Sequence, residues 1–198
     1  MNITVLTAGS RGDIQPLLAL CIELRRNGHS VLVASHSNFR GFVEKTATPF
    51  ISIMANHQDW LATESGVKWI ETGSSMIGFF KGLKNFFEPV LEDMFRGSIE
   101  ACQGADLILF SSLAVSAPHV AEKFGIPCIP IQLQPIYPTS EFPSFAAPWK
   151  KGELPILNRF THWIGEFIMG SLTRKQLNRW RRRELQLRPM PFAGMGLY

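Results

Sequence analysis

Cysteine is scarce: three residues in 198, Cys21, Cys102 and Cys128, with no C-x-x-C pair among them. An odd, scattered set excludes a disulfide framework and points to free thiols in a reducing compartment. Charged residues are also few, at 18%, against 45% hydrophobic ones, a balance that excludes an intrinsically disordered chain. No apolar run approaches the roughly 18 residues of a membrane span. The short N-terminal apolar run lacks a basic leader and continues into a glycine turn, so no signal peptide is expected. No His, Cys, Asp or Glu lies at metal-ligand spacing, and no metal is expected. Internal repeats and low-complexity tracts are missing too. What remains is the profile of one soluble, cytoplasmic domain, long enough to bury roughly 70% of its unfolded surface.

One dinucleotide signal is missing as well. The first strand is Asn2 to Ala8, and the turn after it, Gly9-Ser10-Arg11-Gly12-Asp13-Ile14-Gln15-Pro16, spaces its glycines G-x-x-G rather than G-x-G-x-x-G. The second strand, Ser30 to Ala34, runs into Ser35-His36 with no carboxylate for a ribose. An NAD- or FAD-binding oxidoreductase is therefore not the expected reading.

The turn itself is the most informative feature present. It sets a carboxylate, a hydroxyl and backbone N–H groups at the carboxyl end of a first strand, where open α/β sheets bind ligands. Leu17, Leu18, Leu20, Cys21 and Leu24 recur at helical spacing, and Gly28 supplies a left-handed stop. Gly9 or Gly12 is expected to take the positive φ of the turn. Asp13 has two readings from position alone: a helix-capping acid or a reactive carboxylate.

Beyond this βαβ unit the pattern predicts a short helix over Phe39–Glu44 and strands at Phe50–Met54, Asp106–Phe110 and Cys128–Gln132. A helix is expected over Val115–Phe124, ended by Gly125 and Pro127. Between strands three and four, apolar residues from Met76 to Ile99 recur three or four apart, with Pro89 starting or bending a helix. A proline-rich loop runs from Tyr137 to Pro155. Leu157, Phe160, Ile164, Phe167 and Ile168 mark an amphipathic helix, and an arginine-rich helix closes the chain. Alternating strands and helices predict a Rossmann-like parallel sheet with helices on both faces.

The net charge of +4 belongs to that last element. Between Arg174 and Arg188 lie seven basic residues and one acid, while the rest of the chain carries 13 basic and 15 acidic residues. Nucleic-acid binding is not expected, because only Trp180 interleaves the cations. A solvated face, a second domain or an anionic membrane surface would each suit the stretch.

The octet Gly9–Pro16 resembles the G-[ST]-R-G-D-x-x-P signature of one branch of the GT-B glycosyltransferases, which includes sterol and other lipid glucosyltransferases and the glycosyltransferases of glycopeptide antibiotic synthesis. Three further segments are similar in order and spacing: Ser111-Ser112 with Pro118-His119-Val-Ala-Glu-Lys-Phe-Gly-Ile-Pro127; Gln132-Leu-Gln-Pro135 with Pro138-Thr139 and Phe142-Pro143; and Asn158-Arg-x-Thr-His162 with Asn178-Arg-Trp-Arg181 and Leu185-x-Leu187. No donor-half segment of the H-C-G-x-G-T type occurs. The resemblance therefore implies that residues 1–198 form the N-terminal acceptor-binding domain, one half of a GT-B fold, without the nucleotide-sugar domain and without full activity alone.

The resemblance implies a UDP-sugar-dependent, inverting hexosyltransferase, with UDP-glucose as co-substrate, no separate cofactor, and a sterol, lipid or polyketide-like hydroxyl as acceptor. Asp13 is then the general base. Ser10, Arg11 and Gly12 face the donor diphosphate. His119, Gln134 and the phenylalanines Phe79, Phe80, Phe86 and Phe87 meet an apolar acceptor. Peripheral membrane contact would fall on 174–188. The alternative is a non-catalytic lipid-binding or interaction module that retains the fold.

Overall fold

In the computed structural model five strands lie parallel in the order β3-β2-β1-β4-β5. The structure describes residues 1–54, 91–135, 137–144 and 154–190. The elements are β1 (Asn2–Leu6), α1 (Arg11–Arg26), β2 (Ser30–His36), α2 (Arg40–Glu44), β3 (Phe50–Met54), α3 (91–101), β4 (Leu107–Ser111), α4 (Ala117–Phe124), β5 (Cys128–Ile131) and α5 (Pro155–Trp180). Phe79, Phe80, Phe86, Phe87 and the bend expected at Pro89 lie outside the described residues, as does the loop stretch 145–153.

The strand alternation explains why helices cover both faces. Val5 sits in register with Val33 and Leu109, while Leu6 sits with Ala34 and Phe110. The first set packs with Ile14, Leu17, Leu18 and Cys21 of α1. The second packs with Leu91, Met94 and Phe95 of α3, Val120 of α4 and Leu177 and Trp180 of α5. A sheet buried on both sides favours the continuous apolar runs seen in β2 and β4. Pro130 is tolerated in β5 because, among the described residues, that strand pairs only with β4 and its outer edge has no ladder to feed.

Several boundaries differ from the sequence pattern. The β1 ladder ends at Leu6, two residues early, because the Ala8 amide turns to the Ser111 hydroxyl at 3.1 Å instead of to a neighbouring strand. β2 runs two residues further, to His36, with a register shift against β3 between Ser35 and His36. Gly28 (φ +83°) and Gly125 (φ +67°) stop α1 and α4 in the left-handed region.

The largest difference lies at the C-terminal end. Two helices are expected there, yet α5 is one helix of 26 residues, continued by a π-helical turn over Arg181–Leu185 and closed by Gln186 at φ +58°. Gly165 and Gly170 do not break it. At Gly165 the bare backbone lets Ser144 approach, since a Cβ there would stand 3.4 Å from the Ser144 hydroxyl.

Gly97 marks the tightest contact between layers. A Cβ at this position would lie 2.6 Å from the Ile53 Cα and 2.9 Å from its carbonyl oxygen. Those atoms belong to strand β3 and cannot swing aside, so α3 must lift from the sheet. Gly97→Ala is expected to cost about 2–3 kcal/mol despite alanine's better helix propensity. Thermal unfolding by circular dichroism checks this, and a midpoint equal to or above wild type would show that α3 can shift freely.

Candidate functional site

The turn after β1 sits at the carboxyl edge of the sheet. Gly9 takes the positive φ, +125°, and its amide donates to His36 Nε2 at 3.0 Å. His36 is buried at the end of β2 and accepts through Nε2, which puts its ring proton on Nδ1. Ser111, at the end of β4, holds Ala8 through its hydroxyl. Three adjacent strands thus fix the backbone from which the helix starts. The sequence pattern marks Ser111 but not His36, because the Gly9 amide that His36 accepts from carries no signature in the sequence.

Ser10 is the N-cap of α1 and Asp13 its third helical residue, and the two form a reciprocal capping box. Ser10 N–H donates to Asp13 Oδ2 at 2.7 Å, the Ser10 hydroxyl reaches the same oxygen at 3.0 Å, and Gly12 N–H donates to Ser10 Oγ at 3.2 Å. Asp13 is half-buried, and among the described residues its Oδ1 takes no hydrogen bond. The capping reading is therefore realised through Oδ2. The bare Gly9 is what permits this carboxylate position, since a Cβ there would stand within 2.8 Å of the Asp13 Cγ.

The neighbours of Asp13 are less open than the sequence suggested. The amides of Ser10 and Gly12 are spent within the cap. Arg11 donates from Nε to Gln15 at 3.1 Å and stacks its guanidinium over Phe42, 5.1 Å from the ring centre. What the turn offers an anion is the positive end of the α1 dipole.

His119 is not brought to this turn. It is buried, and Arg181 Nη1 donates to its Nδ1 at 2.8 Å. Arg181 also forks onto Glu122, with bonds of 2.7 and 3.0 Å, and reaches the Arg188 carbonyl at 2.9 Å. Trp180 closes the cluster, edge-on to His119 and stacked on Phe95 at 4.3 Å. Burial, with the Arg181 charge beside it, lowers the His119 pKa to about 4. The Arg181 hydrogen bonds hold the Glu122 carboxyl below its usual range. Through these contacts His119 helps dock the end of α5 onto α4. Arg181 and Glu122 were missed as a pair because 59 residues separate them. Gln134 lies exposed after β5, while Ser112 and Gln132 join side chains across the β4 and β5 ends.

The segment Asn158–His162 also acquires a physical reason. Asn158, Thr161 and His162 form the buried side of α5. They bind the Ser140 carbonyl at 2.9 Å, the Ser144 amide at 2.8 Å and the Phe142 carbonyl at 3.1 Å. Three polar side chains satisfy the backbone of a loop that has no strand partner among the described residues. Two hollows lined by described residues lie along α5, one between it and α3, the other on its outer side; neither borders Asp13.

The architecture recurs in known glycosyltransferases. The glycotransferase of kitacinnamycin superposes with a TM-score of 0.59 at 18% identity, covering 96% of this chain and 42% of that one. Streptomyces sp. SF2575 glycosyltransferase SsfS6, complexed with thymidine diphosphate, gives 0.55 at 20% identity over 96% of this chain and 47% of that one. In sequence, the chain is 33% identical over 187 residues to a sterol 3-beta-glucosyltransferase of Debaryomyces hansenii, 94% of this chain. It is 34% identical over 196 residues to one of Cryptococcus neoformans, 98% of this chain. The chain spans 12% of the length of these relatives. Residues 3–143 match the glycosyltransferase family 28 N-terminal domain. A Rossmann-like sheet with the G-S-R-G-D turn at its carboxyl edge is thus joined to a match over most of the sequence, and the chain belongs to the glycosyltransferase family 28 N-terminal domain family.

Proposed function

We propose that this chain is the acceptor-binding half of an inverting glycosyltransferase that moves glucose from UDP-glucose to the hydroxyl of a sterol or another lipid. The observation that carries the reading is Asp13, held by Gly9, Ser10 and α1 at the carboxyl edge of the sheet, with one carboxylate oxygen uncommitted among the described residues. The sterol glucosyltransferase relatives support the acceptor class. As the acceptor oxygen bonds to the anomeric carbon, the bond from that carbon to the diphosphate oxygen breaks and UDP leaves. The hydroxyl grows acidic as its new bond forms, and Asp13 Oδ1 takes its proton. Ser10, Arg11 and Gly12 supply the positive helix end toward the diphosphate. Gln134 and Phe79, Phe80, Phe86 and Phe87 are assigned to the acceptor side. The chain works in the cytoplasm, with the basic stretch 174–188 against a membrane surface.

The test joins this half to a nucleotide-sugar-binding half and supplies UDP-glucose with a panel of sterols and other lipids, products being read by mass spectrometry. A glucoside of at least one sterol is the expected product. Lipid binding without transfer to any acceptor would establish the non-catalytic module instead.

A further inference from the structure

We infer that the N-terminal half of α5 is an amphipathic anchor that lies in the surface of an anionic bilayer. This deepens the membrane contact proposed for 174–188 and does not depend on glycosyl transfer. Ile156, Leu157, Phe160, Trp163, Ile164 and Phe167 recur one, three or four residues apart and fall within an arc of about 120° on one side of the helix. All are exposed: Ile156 at 93%, Phe160 at 56%, Trp163 at 54% and Phe167 at 52%. The opposite side is already committed, through Asn158, Thr161 and His162, to the loop below. So large an apolar stripe left outward on a polar-backed helix marks an interaction surface.

The rest of the same face says what covers it. Continued along the helix, the arc passes through Ser171, Lys175, Asn178 and Arg182, with Arg179 and Arg183 exposed beside it. Only one acid, Glu166, occurs in the 26 residues of α5. The outward side is therefore apolar for its first three turns and cationic for the next three. A protein partner would require a matching apolar and acidic tract. An anionic bilayer presents both chemistries everywhere, with acyl chains under negatively charged headgroups. Trp163, with the Arg159 guanidinium 5.9 Å over its ring, has the amphipathic character favoured at the headgroup boundary. The apolar zone is about 18 Å long, suited to lying in the interface. Among the described residues no helix is long and apolar enough to cross a membrane.

The experiment measures binding of the 198-residue chain to vesicles by flotation. One set contains phosphatidylcholine with 30 mol% phosphatidylserine, chosen as probe, and the other phosphatidylcholine alone. The chain is expected to bind the anionic set and to be released by high salt. Phe160→Asp with Phe167→Asp should lower the partition at least about tenfold at unchanged circular dichroism. Lys175→Glu with Arg182→Glu should lower it further and flatten the salt dependence. Brominated lipids should quench a fluorescence component that Trp163→Phe removes. Undiminished binding by the Phe160/Phe167 variant overturns the anchor while leaving the basic contact standing. Absence of wild-type binding overturns both. A dimer that the Phe160/Phe167 variant dissociates, with no vesicle binding, assigns the stripe to a second copy.

Discussion

Asp13→Asn in the complete enzyme is expected to lower kcat by about 10²- to 10⁴-fold while the KM for the acceptor stays within about twofold. The substitution is chosen because it separates the two tasks of this side chain. Asparagine keeps a carbonyl oxygen in the place of Oδ2, so the Ser10 N–H that now donates at 2.7 Å keeps its acceptor and the capping box closes. Loss of stability should stay below about 1 kcal/mol. What asparagine does not do is accept a proton from the attacking hydroxyl. Steady-state kinetics with UDP-glucose, alongside a melting curve, reads both outcomes. Turnover within tenfold of wild type would remove Asp13 from proton transfer and leave it a capping residue. A collapse of stability together with activity would show that the charge, not the acceptor oxygen, holds the turn.

The sheet and this turn were legible in the sequence because each is written locally. Val5 and Leu6 alternate between faces, Gly28 stops a helix, and the G-S-R-G-D run places its own cap. The site's remaining features depend on residues far apart in the chain. Position within a helix gives no hint that His119 would face an arginine 62 residues later, or that burial there would keep its ring neutral. Spacing revealed the apolar stripe of α5 but not which side would be covered. The polar residues Asn158, Thr161 and His162 turned inward because the loop at 140–144 needed partners for its backbone, and that need is visible only in three dimensions. His36 was overlooked for the same reason: its partner is a backbone amide, and backbone amides have no signature.

Arg181→Ala is expected to destabilise the chain by about 3 kcal/mol and to lower its melting temperature by about 6–12 °C. The guanidinium is nearly fully buried and makes four hydrogen bonds, to Glu122, His119 and the Arg188 carbonyl. Removing it leaves His119 Nδ1 without its donor inside the fold, beside a cavity under Trp180. Glu122 is half exposed and regains water, which holds the loss to the lower part of the range for buried pairs. The pH dependence identifies the cluster. His119 titrates at about 4 when folded and at its ordinary 6.5 when unfolded. As pH falls from 6.5 to 4 the unfolded chain takes up a proton that the folded chain does not, so stability declines across that window by about 3 kcal/mol and levels off below it. Glu122, lowered by the same arginine, loses its share as pH falls through its ordinary range and below, in the same direction. Burial is the larger cause at His119 and survives the substitution, whereas the repulsion from Arg181 and its hold on Glu122 do not. The variant should therefore be less stable throughout yet lose less between pH 6.5 and 4. Urea unfolding at half-unit intervals of pH measures both curves. Parallel curves would place the acid-sensitive group elsewhere, and a variant as stable as wild type at pH 7 would mean that the edge-on contact of Trp180 with His119, and not the Arg181 hydrogen bonds, holds α5 to α4.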